Sequence, residues 1–221
     1  MANSKLEIIT QEEHYFAVNK PAHMSPIFHE AQRIYPLDRE LSGIMLWAKD
    51  DATTSILRNS FGSNEIKFCF TIVAKTVPTL ADEMTCNLPI ARHNCNDGML
   101  ISNTTGKKSL TKFKKIEVTK QYTLWSAETY FLRCHQVRLH AYEQGIPIFG
   151  EDFYGQTPIP CFSDLKSSAK LNRKGIFVPL YPSLCIHLSQ IDFPLENHRV
   201  FLQVPLPRKL DAMLKIIKKW T

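Results

Sequence analysis

No hydrophobic run in the sequence approaches the roughly 20 residues needed to cross a bilayer as a helix, which argues against a helical membrane protein. The first residues, MANSKLEIITQEEHYF, hold no continuous apolar stretch and carry acidic side chains, unlike a secretory signal or transit peptide. Cys-x-x-Cys pairs are absent too: the six cysteines, at positions 69, 86, 95, 134, 161 and 185, are scattered. Without a secretory signal they read as reduced thiols of a cytoplasmic protein, mostly filling core. Cys86, His93 and Cys95 lack the second short-spaced pair that zinc sites show, so no metal is expected. There is no internal repeat and no interdomain linker.

What is present suits one α+β domain spanning 1–221. The length of 221 residues is enough to bury a real core, and 44% of the residues are apolar. Lysine and arginine number 27 against 21 acids, a net charge of +6 that leans mildly toward a polyanionic partner. A monomer is expected.

Strands are predicted at KLEIIT and HYFAVNK, the second ended by Pro21, and at SGIMLWAK, a buried segment. DDATTSILRNSF has apolar residues at helical spacing, with Asp51 as N-cap and Gly62 as stop. IKFCFTIVAKTV is β-branched and aromatic, a strand. Residues 78–104 hold short strands at best, and LTKFKKIEVTKQYTLWSAETYFL reads as a long hairpin. CHQVRLHAYEQG is a short helix closed by Gly145. Residues 156–183 are irregular; LCIHLSQIDF and HRVFLQVPLP are strands; RKLDAMLKIIKKW is an amphipathic helix. Many strands with few helices between them give a mixed, mostly antiparallel sheet.

Several fragments then fall in a telling order: VNKPAHM, LDRELSGIMLWAK, KFCFTIV, GKKSLTKF, HQVRLHAYEQGIPIFGEDFYG, LCIHLSQIDF and VPLP. Together they resemble the pseudouridine synthases of the RluA type, which isomerise uridine in ribosomal and transfer RNA. LDR-x-x-SG and HQ-x-R-x-H-(x)4-G-x-PI-x-G-(x)3-YG are the most specific pieces. The resemblance implies a pseudouridine synthase-like catalytic domain that begins within about ten residues of the start, with no separate RNA-binding domain before it. It makes Asp38 the catalytic carboxylate. Detaching uracil from ribose, turning it and rejoining it through carbon needs a nucleophile or base beside the sugar and the ring, and a carboxylate can serve without a cofactor. Attack on the sugar, attack on the base and proton abstraction all remain open.

By the same resemblance Arg138 pairs with Asp38, keeping it ionised and oriented. Cys69 stands by spacing at the position whose usual tyrosine stacks on uracil. Arg39, His135 and Gln136 are further candidates for substrate contact. The target base must be swung out of folded RNA, and phosphates could rest on the N-terminus of the CHQVRLH helix or on Lys107, Lys108, Lys112, Arg173 and Lys174. Three departures stand out. Tyr35 and Pro36 replace His-Arg before Leu-Asp, Cys69 replaces the tyrosine, and Phe131-Leu132-Arg133 replaces Thr-Gly-Arg. Two functions therefore follow, an RNA uridine isomerase with an altered base-flipping apparatus and a descendant that grips RNA without isomerising it.

Overall fold

β-Branched and aromatic residues dominate the segments that pair into strands, because their stiff side chains favour extended backbone. The computed structural model describes residues 6–93, 97–165 and 178–220. From the N-terminus come β1 (Glu7–Gln11), β2 (Tyr15–Lys20), β3 (Gln32–Arg33) and β4 (Ser42–Ala48), then helix α1 (Asp51–Gly62) and β5 (Lys67–Lys75). Three short strands follow, β6 (Glu83–Cys86), β7 (Ile90–Arg92) and β8 (Met99–Ile101), and then the hairpin of β9 (Thr111–Val118) and β10 (Tyr122–Thr129). Helix α2 (Gln136–Glu143), the single turn α3 (Phe162–Leu165), β11 (Ile186–Leu195), β12 (His198–Gln203) and helix α4 (Arg208–Lys219) complete the order.

Among the described residues, ten strands form one sheet whose main path is β1-β2-β4-β11-β5-β10-β9-β6, with β3 added to β4 and β12 to β11. Its pairs are antiparallel except β4 with β11. The fold is thus the expected α+β type with a mixed, mostly antiparallel sheet. β7 and β8 make a separate small hairpin. The parallel pairing of β4 and β11 depends on Gly43, which faces Leu188. A Cβ at Gly43 would stand 2.3 Å from the Leu188 carbonyl oxygen, and its φ of +129° is one that L side chains rarely adopt.

The cap of helix α1 lies one residue earlier than expected: Asp50, not Asp51, accepts the Thr53 N–H at 2.7 Å. β5 carries alternate residues to opposite faces. Phe68, Phe70 and Ile72 enter the larger core with Trp47, Trp125 and Leu188, whereas Val73 joins a second core beneath α4, with Leu210, Met213 and Ile217. No helix among the described residues is long and apolar enough to cross a membrane.

Candidate active site

Asp38 sits in the loop between β3 and β4. The flanking Leu37 and Leu41 are buried and anchor that loop, leaving Asp38 half-buried between them. The loop is gripped from below by Lys20, whose side chain is 1% exposed. Its ammonium donates to the carbonyls of Pro21 (3.3 Å), Arg39 (3.1 Å) and Leu41. Burial, only partly offset by Glu40 and Asp38, brings its pKa down to about 8.

Opposite the loop stands the N-terminus of α2. His135 occupies the cap position with a left-handed backbone (φ 53°), a conformation that costs a non-glycine residue free energy. Its N–H donates to Asp38 Oδ2 at 3.0 Å. The helix end proposed for a phosphate thus receives the Asp38 carboxylate, since free N–H groups and the helix dipole favour negative charge there. Burial pushes the Asp38 carboxyl above its ordinary value, against the opposing pull of His135, its N–H and Arg138.

The expected Asp38–Arg138 ion pair is replaced by another. Arg138 directs Nε and Nη2 to Glu151 at 2.7 and 2.8 Å, and both side chains are 3% exposed. Two parallel charge-assisted bonds fit the guanidinium fork better than a single distant carboxylate would. Burial works against both charges, but their pairing prevails, holding the Glu151 carboxyl below and the Arg138 pKa above ordinary values. Arg138 still acts on Asp38 through space and lies 3.3 Å from His135 Nε2. His135 Nδ1 is hydrogen-bonded to Tyr154 Oη at 2.9 Å. Glu151 and Tyr154, both missed as site residues in the sequence, therefore hold the pair that faces the loop.

A cavity of only about 10 Å³, room for a single water, lies beside the carboxylate. Pro36, Asp38, Phe70, Leu132, Arg133 and Gln136 are among the residues lining it. Cys69, expected beside the base, is not among the residues lining it. One position along a strand reverses the face, so Cys69 points to the far side, near Lys67, Glu128 and Asp192, where burial first and then Glu128 push its thiol to about 11. Phe70 is the ring on the Asp38 side. Tyr35 is core: its hydroxyl donates to the Ile44 carbonyl at 2.9 Å and its ring packs on Phe68.

Gln136 lines the cavity, yet its amide donates to Leu110 O, Thr111 Oγ1 and Thr129 Oγ1, and its carbonyl accepts from the Arg133 N–H. These bonds tie α2 to the β9–β10 hairpin. Arg133 contributes a guanidinium whose Nε is buried and has no hydrogen-bond partner among the described residues. Arg39 is exposed on the loop, bonded to the His23 carbonyl at 3.4 Å.

Lys107, Lys108 and Lys112 are exposed, whereas Lys114 pairs with Glu83 and Lys115 with Asp82. Arg173 and Lys174 lie outside the described residues, as does Cys95. Asp38, Cys134 and His135 bring one ligand atom each within 4.8 Å of one another. Arg138 and Tyr154 engage both ring nitrogens of His135, and burial together with Asp38 keeps the Cys134 thiol protonated, with a pKa near 11. That environment disfavours a cation. A larger cavity of about 540 Å³, lined partly by Lys75, Phe149 and Ile159, includes none of these groups.

Residues 28–143 match the RNA pseudouridylate synthase family. The chain is 26% identical over 234 residues to ribosomal large subunit pseudouridine synthase C of Vibrio parahaemolyticus, covering 96% of this chain and 69% of that protein. It is 22% identical over 243 residues to ribosomal large subunit pseudouridine synthase D of Zymomonas mobilis, covering 96% and 73%. In fold it is similar to human RNA pseudouridylate synthase domain containing 4, with a TM-score of 0.75, 18% identity and coverage of 96% and 93%.

Proposed function

The chain belongs to the RNA pseudouridylate synthase family, in its RluA-type branch, and on that premise we propose that it isomerises uridine to pseudouridine in ribosomal RNA with Asp38 as the catalytic carboxylate. The observation that carries the reading is the placement of Asp38. It is half-buried at a cavity mouth, fixed through one oxygen by the His135 N–H, and faced but not neutralised by Arg138. A carboxylate so held is oriented yet still reactive. The reaction breaks the C1′–N1 bond, forms C1′–C5, releases the C5 proton and leaves a proton on N1. Phe70 becomes an apolar wall for the base once the cavity widens, and Arg133 supplies the positive charge that Pro36 cannot. Ribosomal RNA is the substrate class because the two bacterial relatives are named for the large ribosomal subunit. The chain acts as a single catalytic domain, as a monomer in the cytoplasm.

The second reading, an RNA-binding descendant without turnover, draws its support from Pro36, which stands on the cavity wall with no charge. Tritium release from ribosomal RNA carrying 5-tritiated uridine separates the two, since isomerisation frees the hydrogen at C5. The wild-type protein should release tritium, and Asp38→Asn should reduce release at least a thousand-fold, about 4 kcal/mol in the barrier, while folding normally. Wild-type RNA binding without release would favour the second reading. Equal release by Asp38→Asn would remove Asp38 from the chemistry.

A further inference from the structure

Beyond Asp38, aromatic side chains continue outward along the molecule. The His135 ring packs edge-on against Phe153 and Tyr154, with centroids 5.9 and 5.8 Å apart. Phe153 and Tyr154 touch at 4.9 Å, and Tyr142 lies 6.4 Å from Tyr154. The inner ring is fixed: Tyr154 Oη accepts the Met99 N–H at 3.0 Å and bonds His135 at 2.9 Å. The outer rings are open, with Phe153 44% and Tyr142 51% exposed. The Phe153 backbone is also held, its N–H donating to Glu151 Oε1 at 2.9 Å. A large apolar ring left in water on a rigid backbone, one ring away from the residue that holds Asp38, has no part in the core.

The charges around these rings decide what can rest on them. Asp152, with a side chain 94% exposed, adjoins Phe153, and Glu40 lies on the same side, each within 4 Å of an Arg138 nitrogen. A phosphate would be repelled there. Cations stand on the other flank: exposed Arg92 is directly opposite Met99, the residue bonded to Tyr154, and exposed Lys107 pairs with Ile90 on the same strand as Arg92. An RNA strand can keep its phosphates on the Arg92–Lys107 flank and turn a base toward the rings.

Resting on the RNA substrate proposed above, we propose that Phe153 and Tyr142 form a stacking platform for an unpaired base next to the uridine held at Asp38. Every base has a π-face, so the platform grips without reading sequence. It stabilises the opened strand after the target uridine has left its stack, a step that costs a few kcal/mol. This is a second grip on the RNA, separate from the site at Asp38 where the base reacts.

The test measures binding of a fluorescein-labelled single-stranded 12-mer of uridylate, and of unlabelled ribosomal RNA in competition, across salt concentrations. Phe153→Ala and Phe153→Leu should each weaken binding about 5- to 100-fold. The slope of log Kd against log salt should stay unchanged, because no phosphate contact is lost. Phe153→Trp should bind at least as well as wild type, which also shows that the site tolerates substitution. In the tritium assay the loss should appear in KM rather than kcat. Wild-type affinity in Phe153→Ala and Phe153→Leu would overturn the platform while leaving the proposed activity standing, and would leave these rings to a protein partner. A loss confined to kcat would overturn it as well, by assigning Phe153 to holding His135. A wild-type protein that binds neither RNA would remove both proposals.

Discussion

Two cations are buried beside the Asp38 loop, and they are held in opposite ways. Lys20, 1% exposed, is hydrogen-bonded among the described residues only to backbone carbonyls, and its pKa falls to about 8. Arg138, 3% exposed, is met by a carboxylate as buried as itself, and its pKa rises. Carbonyl dipoles satisfy donors but do not neutralise charge, so desolvation dominates at Lys20; a full opposing charge in bidentate geometry outweighs it at Arg138. The result is a division of labour around one acid. Lys20 fixes the loop that carries Asp38, and Arg138 fixes the helix whose first N–H receives it. Only the Arg138 pair is a stability determinant whose rupture leaves a charge stranded.

That contrast breaks most visibly at Glu151. Glu151→Gln removes the one buried carboxylate bonded to Arg138 and leaves only the more distant, more exposed Glu40 and Asp152 within 4 Å, so the cost should approach about 3–5 kcal/mol, the range for removing one partner of a buried pair. Urea unfolding at pH 7 measures it. The pH dependence has a definite sign. The folded Glu151 pKa lies below its unfolded value, so its contribution is fully present above about pH 4.5 and is lost as pH falls through the folded value. Glu151→Gln should flatten that acid limb. A change below about 1 kcal/mol would mean that Arg138 is less dependent on its partner than the two short bonds imply.

Lys20→Met should behave differently. It removes hydrogen bonds to three carbonyls but also removes a desolvated charge, so stability at neutral pH should change by less than about 2 kcal/mol. The informative quantity is again the slope. Between about 8 and 10.5 the unfolded lysine binds more protons than the folded one, so wild-type stability should gain on the order of 3 kcal/mol from this group as pH rises through that window. Turnover should fall across the same window, as the ammonium loses its grip on the loop. Lys20→Met should lose the stability gain and turn over slowly at every pH. Identical alkaline slopes in the two proteins would show that Lys20 does not titrate there.

The long strands, the hairpin and three of the helices were legible in the sequence because each repeats a pattern over eight or more residues or pairs with a visible turn. β3 and the strands between residues 83 and 101, two to four residues long, fall below any such window. Asp38 and Arg138 could be read from motifs, but their partners could not. Asp38 is met by a backbone N–H, which every residue except proline carries, and Arg138 by a glutamate across a loop that shares no helical face with it. Spacing alone points to Cys69, whereas Phe70 is the β5 residue that lines the cavity at Asp38, and a shift of one residue exchanges the faces of a strand. Lys20 lies in the VNKPAHM fragment, but the pattern gave it no role: a lone lysine ending a strand reads as surface, and only the enclosed carbonyls make it otherwise.

Glu40 offers the smallest and sharpest cut, because like Asp38 it acts on both cations, and unlike Asp38 it is not assigned to the chemistry. Its Oε2 lies 3.9 Å from Arg138 Nη1, its side chain is 40% exposed, and it raises the pKa of Lys20 and of Asp38. Half-exposed charges interact weakly through water, so Glu40→Gln should change stability at neutral pH by no more than about 0.5 kcal/mol. Its effect belongs in the titrations. With Glu40 neutral, the alkaline midpoint assigned to Lys20 should move below 8, and the acid limb of turnover should move toward the ordinary aspartate range. Arg138 should be indifferent, because Glu151 supplies its counter-charge. Raising salt toward 1 M should reproduce part of both shifts in the wild-type protein, since screening at that strength extends to about 3 Å, and should add little in Glu40→Gln. The readouts are urea midpoints and initial tritium release between pH 4 and 10. An alkaline midpoint that moves upward would reverse the sign assigned to Glu40, and one that stays fixed would leave Lys20 governed by its burial and its carbonyls alone.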